Sequence, residues 1–170
     1  MPVNTAPSIL VGTTNRTVWV RVEGKGSFQN STGLRSFARE MINRGYRDFV
    51  VDLGRCPVMD STFMGTLAYI AQALRELGQG QLSVVRLNER NRDLLCNLGF
   101  NQLLVLESSE PPANAAPVAE EALPADPEDR ETRVRTMLAA HEALVQANPA
   151  NAAKFKDVLE FLRQDLHPAR

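Results

Sequence analysis

The chain has 170 residues, 44% of them hydrophobic, which is enough to bury one full core and too few for two full-sized domains. A formal net charge of -1 excludes the strongly basic balance that accompanies phosphate contacts, so no direct nucleic-acid partner is expected. The charge is unevenly spread: residues 1–108 hold 12 Lys/Arg against 9 Asp/Glu, and residues 109–170 hold 7 against 11, which places the acidic excess in the tail.

Cys56 and Cys96 stand far apart without a CxxC pair or a Cys/His cluster, so neither a metal nor a redox couple is expected and both read as small packing residues. The first residues, Met1-Pro2-Val3-Asn4-Thr5-Ala6-Pro7, lack a basic region followed by an apolar run. No stretch approaches the roughly 20 apolar residues of a membrane span. These features together predict a cytoplasmic protein.

In chain order, Ile9 to Thr13 and Thr17 to Glu23 are rich in β-branched residues, and Asn15-Arg16 between them is turn chemistry, so the chain opens on a β-hairpin. After a break at Gly24 and Gly26, Leu34, Phe37, Ala38, Met41 and Ile42 recur at helical spacing over about Thr32 to Arg44, and Gly45 supplies the stop. Asp48 to Leu53 is apolar on consecutive positions, as a strand covered on both faces tends to be. A loop, Gly54 to Met59, leads to Asp60-Ser61 and a helix from about Thr62 to Leu77, closed by Gly78 and Gly80. Leu82 to Leu87 reads as a strand, Glu89 to Leu98 as a short helix, and Leu103 to Leu106 as a last strand.

The order ββαβαβαβ predicts an α/β fold, a mixed sheet with parallel later strands and helices mainly on one face. This domain is expected over residues 1–107. Residues 108–127 turn to Pro, Ala, Glu and Ser, which is linker composition. Residues 128–170 carry two apolar stripes, Val134, Met137, Leu138, His141, Leu144 and Val145, then Phe155, Val158, Leu159, Leu162 and Leu166, on either side of Asn148-Pro149. A helical hairpin of this size buries too little area to offset its ordering entropy alone, so it is expected to dock on the main domain or to form a homodimer.

Val50-Val51-Asp52-Leu53, Met59-Asp60-Ser61-Thr62-Phe63-Met64-Gly65, the Gly78 break before Leu82-Ser83-Val84-Val85, and Leu95-Cys96-Asn97-Leu98-Gly99-Phe100 resemble the STAS (anti-sigma-factor antagonist) family over about residues 8 to 107. In that family an Asp-Ser-(Ser/Thr)-Gly-(Leu/Ile)-Gly loop opens a helix, and the Ser after the Asp is phosphorylated by a partner anti-sigma kinase. The resemblance implies Ser61 as phosphoacceptor, Asp60, Ser61, Thr62, Phe63 and Met64 as partner-binding residues, and an anti-sigma factor or serine kinase as partner. The chain departs from the pattern twice: Phe63 stands in place of the family Gly, and Gly24-Lys25-Gly26-Ser27 in place of Gly-Glu-Leu-Asp. A bulky Phe63 either hinders a kinase at Ser61 or anchors a different partner.

The residues alone give Ser61 a meaning as well. A hydroxyl at a helix N-terminus caps unpaired N–H groups, and the helix dipole would receive a phosphate there. Plain capping by Asp60 and Ser61 is the competing reading. Cys56 has no histidine within the α/β domain to act as its base, His141 reads as an interfacial histidine, and Gly24-Lys25-Gly26 lacks the spacing of a phosphate-binding loop. No triad, paired catalytic carboxylates or cofactor loop is found, so the chain is expected not to be an enzyme and to need no cofactor. A regulatory interaction module is the leading reading. The alternative is a non-phosphorylated structural or transporter-associated subunit that uses the same surface and the helical tail for assembly.

Overall fold

A computed structural model describes residues 8–107, 111, 117, 119–124 and 129–167. Among the described residues, six strands and six helices follow one another as β1 (Ser8–Thr14), β2 (Thr17–Glu23), α1 (Ser31–Asn43), β3 (Asp48–Arg55), α2 (Ser61–Glu76), β4 (Gln81–Val85), α3 (Glu89–Asn97), β5 (Val105–Leu106), β6 (Glu121–Ala122), α4 (Arg130–Ala147), α5 (Asn151–Lys154) and α6 (Lys156–Leu166). Short 3-10 turns at Phe28–Asn30 and Phe100–Gln102 precede α1 and β5.

The sheet runs β5-β4-β3-β2-β1-β6. β2, β3, β4 and β5 are mutually parallel, and β1 is antiparallel to both β2 and β6. The β1–β2 hairpin turns at Asn15, whose φ of 42° lies in the left-handed region that Asn tolerates better than most residues. Register places Val18, Phe49 and Leu82 in one row and Val20, Val51 and Val84 in the next, all pointing to the same face. That face is the core: the same side chains form one buried cluster with Leu34 and Ala38 of α1, Leu67, Ile70 and Leu74 of α2, and Leu95 of α3. The helices therefore lie on this face of the sheet. Each large side chain buried there contributes about 1.5–3 kcal/mol.

The segment expected to be a linker does more than connect. Although residues 108–110, 112–116, 118 and 125–127 of it lie outside the described residues, Glu121–Ala122 pairs with β1 and extends the sheet. Leu123 N–H donates to Ile9 O at 2.8 Å, and Glu120 forms an ion pair with Arg21. Two residues of strand carry no readable alternation. This pairing is set by the exposed edge of β1 rather than by local propensity.

The tail docks on the chain's own domain. α4 packs along α2 and touches α1, while α6 folds back on α4. Ala143 and Leu144 of α4 join the domain core, and Phe155 packs against it. Buried Asn151 fastens the turn of the hairpin, with Nδ2 donating to Leu98 O at 3.0 Å and to Leu144 O at 2.7 Å. No helix among the described residues is long and apolar enough to cross a membrane.

Candidate functional site

The start of α2 is built by two loops sewn together. β3 ends at Arg55, and the chain passes Cys56-Pro57-Val58 to Met59, which forms a parallel bridge with Gly26 from the loop after β2. Gly26 N–H donates to Val58 O at 3.0 Å, and Asp60 N–H donates to Gly26 O at 2.9 Å. The Asp60 carboxylate completes the seam: Oδ1 accepts from Phe63 N–H and Oδ2 from Phe28 N–H, each at 2.9 Å. Asp60 is thus the N-cap of α2, with extended backbone, and at the same time an anchor for the turn that begins α1.

Ser61 is the first residue of α2, and its hydroxyl is not the cap. It meets His141 of α4 instead, with Ser61 Oγ 2.9 Å from His141 Nε2. The other ring nitrogen, Nδ1, lies 2.7 Å from Met137 O. A carbonyl only accepts, so Nδ1 carries a hydrogen. In the neutral ring Nε2 is then bare and accepts the Ser61 O–H. His141 is 3% exposed, and its ring stands edge-on to Phe155 at 5.3 Å. Ser61 itself is half-buried.

The contact continues along the two helices. A Cβ at Gly65 would fall 2.2 Å from Ala140 O, so the backbones approach as closely there as a residue without a side chain permits. Thr32 Oγ1 donates to Thr136 Oγ1 at 3.0 Å, and Gln72 Nε2 donates to Ala143 O at 2.9 Å. Small and polar groups thus make much of the seam between α4 and the α1–α2 surface.

The expected partner-binding residues divide. Asp60 and Ser61 keep some exposure, whereas Thr62, Phe63 and Met64 are buried. Phe63 is 0% exposed and faces the domain interior, so in this conformation it neither blocks the approach to Ser61 nor offers an anchor to a partner. Its ring fits because position 26 is glycine: a Cβ there would lie 2.7 Å from Phe63 Cδ1. The two departures from the family pattern are in contact with each other.

Cys56 is buried, with its thiol 3.4 Å from Val58 O, and desolvation pushes its pKa above the ordinary 9.0 despite lowering by hydrogen bonds from Gly26 and Val58. Such a thiol packs rather than reacts. Among the described residues no group of three or more His, Cys, Asp or Glu side chains is placed to hold a metal. His141 is the site residue that sequence reading missed as a partner of Ser61. The only signals were its place on the apolar stripe of the tail and the small residues Ala139, Ala140 and Ala143 around it.

The profile of the STAS domain matches residues 8–113. The chain belongs to the STAS domain family. No curated protein matches it in sequence at a significant level. Among solved structures, a Thermotoga maritima protein assigned as an anti-sigma factor antagonist is similar with a TM-score of 0.55 and 16% identity, covering 62% of this chain and 88% of that one. The anti-sigma factor antagonist SpoIIAA in its unphosphorylated form has a TM-score of 0.53 and 16% identity, covering 63% and 93%. The Bacillus cell fate determinant SpoIIAA in its phosphorylated form has 0.51 and 16%, covering 60% and 92%. At this identity the likeness is one of fold. The STAS match stops before α4, so His141 and the whole helical hairpin lie beyond the family domain.

Proposed function

We propose that this STAS protein is a regulatory protein–protein interaction module of the anti-sigma-factor antagonist kind, cytoplasmic and non-enzymatic, switched by reversible phosphorylation of Ser61. The observation that carries the reading is the division of labour at the start of α2. Asp60 does the capping, which leaves the Ser61 hydroxyl free of its own helix and turned toward α4, where it meets His141. Residues that serve only as caps do not need a second oxygen there. The structural neighbour SpoIIAA is known in unphosphorylated and phosphorylated forms, which supports the same chemistry here.

The physical consequence of modification follows from its charge. Phosphate adds about -1.5 to -2 charge and three acceptor oxygens at the positive end of α2. The helix accommodates it, while a partner surface that docks beside Asp60 and Ser61 meets a new dianion. Binding to an anti-sigma factor or serine kinase therefore belongs to the unphosphorylated form, and phosphate acts as an off switch without a change of fold.

The test is intact-mass and peptide mass spectrometry of the protein purified from its own cells, with Ser61→Ala as control. A phosphate on the peptide containing Ser61 that disappears in the variant supports the reading. An unmodified Ser61 across growth conditions, including starvation, removes the switch and leaves a constitutive binding module.

A further inference from the structure

A partner or a kinase that uses Ser61 approaches the start of α2 from outside, and in this chain α4 already stands there. Ser61 Oγ is hydrogen-bonded to a buried His141, Gly65 abuts Ala140 O without slack, and Thr32 is bonded to Thr136. We infer that the C-terminal hairpin is a built-in occupant of the switch surface: α4 holds it closed through the Ser61–His141 bond, and Ser61 becomes available to kinase or partner only when α4 lifts away.

The competition is intramolecular. α4 belongs to the same chain as the domain, and for an element tethered in this way the effective concentration is on the order of millimolar. An external partner must overcome that local concentration, or something must weaken the closed state. Phosphate on Ser61 also weakens the closed state, but the charge it adds keeps the partner off the surface it opens. The modification places phosphorus and three oxygens where the imidazole ring now stands, so α4 must move outward to admit it and give up its close contact between Gly65 and Ala140. Phosphorylation therefore requires the open state and afterwards prevents its closing, which couples modification to tail release. This last step rests on the proposed role of Ser61, whereas the closed seam itself does not.

The seam also describes its competitor. A ligand that replaces α4 is an α-helix bearing a residue no larger than alanine at the crossing with Gly65, and a hydrogen-bond acceptor one position further along for the Ser61 hydroxyl. The interface suits exchange because its polar members, Ser61, Thr32, Thr136 and Gln72, find water when α4 leaves. The fastening at Asn151 and the core contacts of Leu144 give the closed state its hold at the other end.

Hydrogen-exchange mass spectrometry on the full chain tests this, comparing wild type, Ser61→Glu, His141→Ala and the exposed-site control Glu142→Ala. In the wild type, α4 and the first turn of α2 are expected to exchange faster than β3 and β4, as a separate opening unit. Ser61→Glu and His141→Ala should each speed α4 by about tenfold, the scale of one lost buried hydrogen bond, with β3 and β4 unchanged. Glu142→Ala should match wild type. If α4 exchanges only together with β3 and β4, or if neither variant moves it, the inference fails. Loss of folding in Ser61→Glu leaves His141→Ala and the wild-type pattern to decide. A native Ser61 phosphate with α4 still protected at the wild-type level would overturn this inference and keep the proposed function. Absence of that phosphate with a separately opening α4 would do the reverse.

Discussion

The ring of Phe63 occupies the space into which any side chain on residue 26 would grow, with the would-be Cβ 2.7 Å from Cδ1 and 2.9 Å from both Cγ and Cε1. Gly26 does not adopt a positive φ, so its glycine is demanded by this contact and not by backbone conformation. Gly26→Ala should therefore cost about 1–3 kcal/mol through overpacking of a fully buried ring. Phe63→Leu in the same chain should recover part of that loss. Urea titrations of the two single variants and the double variant measure the coupling, and simple additivity would show that the two positions are independent.

Asp60 carries two backbone donors from different loops, so its removal should exceed the cost of an ordinary cap. Losing the α2 cap alone costs about 0.5–2 kcal/mol. Leaving Phe28 N–H without its acceptor adds on the order of 1 kcal/mol. Asp60→Ala is expected to lower stability by about 2–3 kcal/mol in equilibrium unfolding, and Asp60→Asn, which keeps the oxygen facing Phe63 N–H, by clearly less. Equal losses in the two variants would mean that the cap on Phe63 N–H contributes nothing and that the Phe28 contact carries the whole effect.

The main domain was largely legible because its signals are local. The β-branched runs of β1 and β2, the turn at Asn15, the consecutive apolar residues of β3 and the 3- and 4-residue spacing in α1 and α2 all reappear within a residue or two of their expected bounds. β6 was not legible, since Glu121–Ala122 is strand only by virtue of pairing with Leu10 and Val11. The Ser61–His141 contact was not legible either. It joins residues 80 apart, and its distance is fixed by the docking of a whole helix, which depends on Gly65 and Ala140 meeting. Phe63 was misplaced to the surface for a related reason: the space that takes its ring is provided by Gly26, thirty-odd residues earlier.

The two cysteines should separate cleanly by reactivity. Cys96 is exposed on α3, whereas burial keeps the Cys56 thiol protonated beyond its ordinary 9.0. A thiol reagent at pH 8 should label one sulfur rapidly in the folded protein, the second appearing only with denaturant, and Cys96→Ser should abolish the fast phase. The same shift has a stability consequence. The folded-state pKa lies above the unfolded one, so the contribution of Cys56 is complete below pH 9 and is lost as pH rises toward the folded value. Cys56→Ala should therefore flatten the decline in stability above pH 9. An unchanged alkaline slope would place that decline elsewhere.

Gly65→Ala sets two known effects against each other at one position. Replacing a mid-helix glycine by alanine favours the helix by about 0.5–1 kcal/mol, and α2 is long enough to show it. The added Cβ, however, would lie 2.2 Å from Ala140 O and 2.5 Å from Ala140 C, which are backbone atoms without a rotamer to turn aside. The clash should prevail for the tail while the helix preference prevails for the domain. α4 then loses its seat on α2, and Arg130, Arg133 and Arg135 become early trypsin sites, while the α/β domain persists as a protease-resistant fragment. Trypsin time courses with mass analysis of the fragments distinguish this from general destabilisation, in which domain and tail would be digested together. Cleavage no faster than in the wild type would mean that α4 adjusts to the methyl group, and that the closeness of Gly65 to Ala140 is not what holds it in place.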